Sequence, residues 1–65
     1  MTGRQLLAAW AERDSRYAAD RRALSKDMAD AVRASRTREV EALPADDRAR
    51  AWAVLAQWQP PQVIR

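Results

Sequence analysis

The side chains able to do covalent chemistry are few. Thr2, Ser15, Ser25, Ser35 and Thr37 supply candidate nucleophilic hydroxyls, and the chain has no histidine and no cysteine. Without an imidazole, none of these hydroxyls has its usual activating base. Without imidazole or thiolate, the usual zinc sites are excluded as well, and so is any disulfide. Carboxylates pair at Asp27/Asp30 and at Asp46/Asp47. The first spacing suits a solvated helix face, and the second suits a helix start, where the dipole favours negative charge. An all-oxygen cation site needs more ligands than either pair offers, and nothing else converges in sequence. No enzymatic activity, cofactor or metal is therefore expected, and binding is the class of function left to pursue.

Two residue types could carry binding. Of the twelve basic residues eleven are arginine and one is lysine, for a net charge of +3. On one continuous helix Arg4, Arg22, Lys26, Arg33 and Arg36 would share a face opposite the apolar stripe, as phosphate binding requires. With Arg38 added, Arg22, Lys26, Arg33, Arg36 and Arg38 are the candidate nucleic-acid contacts. The pairs Glu12–Arg16, Arg16–Asp20 and Lys26–Asp30, four residues apart, are what an ordinary solvated face would also show. Tryptophan is the second type, with three residues in 65, and it is enriched at binding hot spots. Trp10 and Trp58 fall on core stripes. Trp52 falls on a shoulder among Ala45, Arg48, Ala49 and Ala56, so Trp52, Arg48 and Trp58 are candidate partner contacts. Val63 and Ile64, beyond the Pro60-Pro61 pair, complete that set.

Helices must position these groups. Thr2-Gly3-Arg4-Gln5 fits a capping box. From Gly3 to Ala42 no further glycine or proline interrupts an alanine- and arginine-rich run, and both residues favour helix. At helical spacing Leu6, Trp10, Tyr17, Leu24, Met28, Ala31 and Val32 form a stripe. Trp10, Asp14, Tyr17, Arg21, Leu24 and Met28 then read as a heptad seam with two charged members, in which Asp14 of one copy could meet Arg21 of another. A single helix over this run would be about 60 Å long. Such a helix, over about 3–42, either pairs with another chain or breaks, and the first candidate break is Ser35-Arg36-Thr37, because Val40 departs from the stripe. The second candidate is Ser25, which could cap a new helix. Leu43-Pro44 marks a turn. A second helix over 44–58 carries the stripe Ala51, Val54, Leu55 and Trp58, and residues 60–65 form an extended tail.

The stretch Leu24–Val40 resembles the helix-turn-helix family. Ala29 matches its small residue in the first helix, and Ser35-Arg36-Thr37 opens a second helix rich in Ser, Thr and Arg. Arg33 stands where the family has a turn glycine, and Val40 falls one residue late. The resemblance implies that Arg36, Thr37 and Arg38 face DNA. In size and style the chain also resembles phage or mobile-element accessory proteins.

These readings combine into one expectation: an all-α helical hairpin, a single domain over 1–59. Fifteen of the 31 hydrophobic residues are alanine, and Leu, Ile and Val number only ten. A chain this small and this poor in large aliphatics usually needs a staple or a second copy, so a homodimeric helical bundle is expected. Its function is expected to be that of a regulator, adaptor or inhibitor docking on a protein target, with nucleic-acid-binding regulation as the alternative. No apolar run approaches the ~18 residues of a membrane span. The apolar segment Leu6–Trp10, interrupted by Glu12 and Arg13, poorly matches a signal peptide, so a cytoplasmic location is expected.

Overall fold

Among the described residues the long run is divided into two helices, and Ser25 caps the start of the second. In the computed structural model, which describes residues 1–20 and 24–60, α1 spans Gly3–Asp20, α2 spans Lys26–Glu41 and α3 spans Ala45–Gln57. The expected two-helix hairpin is therefore corrected to three packed helices, with no strand among the described residues. Of the expected site residues, Arg21, Arg22, Val63 and Ile64 lie outside the described residues.

Local chemistry explains each boundary. The capping box at the start of α1 is made in both directions: the Gln5 N–H donates to Thr2 Oγ1 at 3.2 Å, and the Thr2 N–H donates to Gln5 Oε1 at 2.9 Å. Ser25 has extended backbone and accepts the Met28 N–H on its side chain at 3.2 Å, which caps α2. Asp27 adds negative charge to that first turn. The break expected at Ser35 does not occur. The Thr37 hydroxyl donates to the Arg33 carbonyl at 2.9 Å, so it is satisfied inside the helix. Because 26–41 is one continuous helix, the helix-turn-helix resemblance is not realised, and Arg33 sits at no turn. Pro44 immediately precedes α3, with Asp46 and Asp47 in the first helical turn.

Three tertiary links fix the directions. Arg13 meets Glu39 and Asp14 meets Arg36, so α1 and α2 are antiparallel. The Gly3 N–H donates to Asp47 Oδ2 at 3.1 Å, and Trp58 reaches Asp14 at the other end, so α3 runs parallel to α1. Helix α3 packs against both others. Leu6, Trp10, Val40, Leu43, Ala51 and Leu55 form the core, with Leu7 and Trp58 packed on its edge. Each buried leucine or valine contributes about 1.5–3 kcal/mol. The core thus closes within one chain, and the shortage of large aliphatics is met by Trp10 and by close approach at the fully buried Ala51.

Helices α1 and α2 continue past the end of α3, because Trp58 already lies beside Asp14 and Arg33. The molecule is accordingly elongated, 41 × 20 × 16 Å. No helix among the described residues is long and apolar enough to cross a membrane.

Candidate functional site

The seam expected along one long helix is divided between two. Asp14 finds its partner within the chain, and that partner is Arg36. Arg36 Nη2 donates to Asp14 Oδ1 at 2.8 Å and Nη1 donates to Oδ2 at 3.3 Å, a two-pronged contact between α1 and α2. The guanidinium is stacked with two indoles, its central carbon 5.2 Å from the Trp10 ring centre and 5.0 Å from that of Trp58. Trp58 Nε1 donates to Asp14 Oδ1 at 3.3 Å. Three helices' worth of sequence therefore converge on one carboxylate. Arg36 is only 2% exposed, and its Nε and the Trp10 Nε1 make no hydrogen bond among the described residues.

This geometry corrects the basic-face expectation. That expectation makes Arg36 a phosphate contact, and it is instead a buried part of the core. Its burial also explains the misleading periodicity: Ala29, Arg36 and Val40 are the buried positions of α2, spaced as one helix face. Reading Arg36 as polar hides that face and makes Val40 look out of register. Lys26 and Arg38 remain exposed. Arg38, however, lies two residues from the buried Arg36, on another side of α2.

Of the other seam residues, Trp10 is in the core, Tyr17 and Leu24 are half-buried, and Met28 is 56% exposed. Tyr17 lines a groove between α1 and α2 with Ala31, Val32 and Ser35. Of the flanking i,i+4 pairs, Glu12–Arg16 closes at 2.7 Å on a well-exposed surface, where it contributes little.

The three tryptophans separate by environment. Trp10 and Trp58 belong to the core and its edge, whereas Trp52 is 39% exposed. Trp52 forms one wall of a shallow groove of about 290 Å³ between α2 and α3, with Arg33, Thr37, Leu55 and Ala56. Arg33 is held there by its contact with the Trp58 ring, 5.4 Å to the ring centre, and donates to the Trp58 carbonyl at 3.5 Å. One turn before Trp52 on α3, Arg48 Nε donates to the Leu43 carbonyl at 2.9 Å. Periodicity alone places Trp52 and Arg48 together. It does not bring in Arg33, which joins them only because α2 and α3 are neighbours in this register.

Among the described residues no three carboxylates gather as metal ligands. Comparison with family models, with curated proteins and with solved structures gave no match. The class the fold defines is a small all-α protein of three compactly packed helices.

Proposed function

We propose that the chain is a small non-catalytic binding protein, a regulator, adaptor or inhibitor that docks on a protein target through the α2–α3 groove around Trp52. One observation carries this reading: Trp52 is the tryptophan left substantially exposed, and it borders a shallow, open depression with Arg33, Thr37, Leu55 and Ala56. A large exposed aromatic offers much contact area for little lost side-chain freedom. The chemistry supports binding over catalysis, because the chain has no histidine or cysteine and the Ser25 and Thr37 hydroxyls are engaged with backbone. The test is capture of targets from the source cell by wild-type protein and by Trp52→Ala in parallel. A target retained by the wild type and by Arg38→Gln but lost by Trp52→Ala supports the reading.

Nucleic-acid binding is the second reading. It rests on the net charge of +3 and the exposed Arg4, Lys26, Arg38, Arg48 and Arg50. These residues are spread over three helices, and the loss of Arg36 to the core weighs against a single phosphate-binding stripe. A salt titration with random duplex DNA and RNA separates the two readings. A steep decline of affinity with salt favours nucleic acid, and no binding at low salt removes it.

Self-association, the other expected partnership, loses its original argument because the core closes in one chain. What favours it now is the end of the bundle beyond α3, where Met28 is exposed and Tyr17 and Val32 are half-covered. Sedimentation at micromolar concentration decides it.

A further inference from the structure

Helix α2 packs on α1 and α3 and leaves one side uncovered. Its buried positions are Ala29, Arg36 and Val40, which meet α1 through the Asp14–Arg36 pair and α3 through the core. At helical spacing Asp27, Ala31, Ala34 and Arg38 fall within about 60° of one another, on the side opposite those buried positions. All four are exposed. They form one ridge, acidic at one end, basic at the other and small in between. Neither Asp27 nor Arg38 is ion-paired to any described residue.

The order of these residues makes the ridge complementary to itself. Asp27 and Arg38 lie equally far from the midpoint between Val32 and Arg33, and so do Ala31 and Ala34. A second α2, turned about a two-fold axis at that midpoint, lies antiparallel to the first. Asp27 of each copy then faces Arg38 of the other, and Ala31 faces Ala34. Such an isologous contact makes every pairing twice. The alanines let the two helix axes approach to the short end of the usual range of about 8–10 Å. A parallel pairing would set Asp27 against Asp27 and Arg38 against Arg38, so the charges choose both the antiparallel direction and the register.

We infer that this face of α2 pairs with the same face of a second copy of the chain, held by two Asp27–Arg38 ion pairs around an alanine contact. The inference rests on the self-association reading and gives it a surface and a register, with the exposed Met28 on its flank. Arg33 and Thr37, which line the depression beside Trp52, lie on another side of α2. Pairing therefore leaves Trp52 open, and the two surfaces can fail separately.

The test is sedimentation equilibrium of the full chain, of Asp27→Arg, of Arg38→Asp and of an equimolar mixture of the two variants, each at low and high salt. Wild type is expected to dimerise, and more weakly in high salt. Each variant alone sets like charges together at both ends of the contact and is expected to dimerise at least about tenfold more weakly. The mixture restores both opposite-charge pairs in a mixed dimer and is expected to recover wild-type association. Mixing changes no sequence, so recovery cannot come from altered folding. A monomeric wild type overturns the inference and the self-association reading together, leaving the face to another partner or to solvent. Dimerisation indifferent to both reversals overturns this surface while self-association stands. Loss in each variant without recovery in the mixture overturns the pairing. Wild-type dimerisation unmoved by salt also overturns it, with no variant involved.

Discussion

Asp14 and Arg36, twenty-two positions apart, meet through both carboxylate oxygens, and the arginine side of the pair is buried while the aspartate is 38% exposed. The asymmetry predicts how each would be missed. Removing Asp14 strands a cation between two indoles, whereas removing Arg36 leaves a carboxylate that water can reach. Asp14→Ala should therefore cost about 2 kcal/mol by urea denaturation. In an Arg36→Met background the same change should cost under about 0.5 kcal/mol. Equal costs in the two backgrounds would show that the pair is not coupled.

This pair also measures what is legible in the sequence. Asp14 can be recognised as a charged residue in an apolar seam that needs a partner. Arg21 is the natural choice on one unbroken helix, because the true partner comes near only after the chain reverses. Once Arg36 is placed on the buried face of α2, Val40 falls into line with Ala29 and the supposed break at Ser35 disappears. The cap at Ser25 is visible as a residue type. Its precedence over Ser35 is not, because it follows from α2 packing back along α1 and against α3. Trp52 is readable throughout, since its neighbours on α3 are set by local periodicity alone.

The cap that starts α2 can be tested on its own. Ser25→Ala removes the acceptor of the Met28 N–H and should cost about 1 kcal/mol. In a domain of this size that lowers the melting temperature by roughly 4–8 °C. Ser25→Asp, which keeps an acceptor at the cap, should melt close to wild type.

Gly3 gives a prediction of unusual sign. Replacing a helical glycine with alanine ordinarily stabilises by up to about 1 kcal/mol. Here an added Cβ would stand 2.9 Å from the Asp47 Cβ, where α1 and α3 meet. Gly3→Ala should accordingly destabilise, by about 1 kcal/mol or more, and weaken the Gly3–Asp47 hydrogen bond. A rise in melting temperature would show that the two helix starts are not in contact.

Core and surface tryptophans should separate in thermal melts. Trp10→Ala empties the centre of the core and should cost about 3–5 kcal/mol, a large part of the roughly 3–10 kcal/mol expected for a domain of this length. Trp52→Ala removes a residue whose ring is partly in water, and should cost about 1 kcal/mol or less. Comparable losses would assign Trp52 to folding.

The proposed role of Trp52 in binding is measured most directly by the amount of protein target captured by Trp52→Ala relative to wild type at equal folded concentration. A hot-spot residue lost from an interface costs at least about 2 kcal/mol, or roughly thirtyfold in affinity. Capture by Trp52→Ala is expected to fall to background while Lys26→Gln and Arg38→Gln capture as wild type does. Undiminished capture by Trp52→Ala would contradict it.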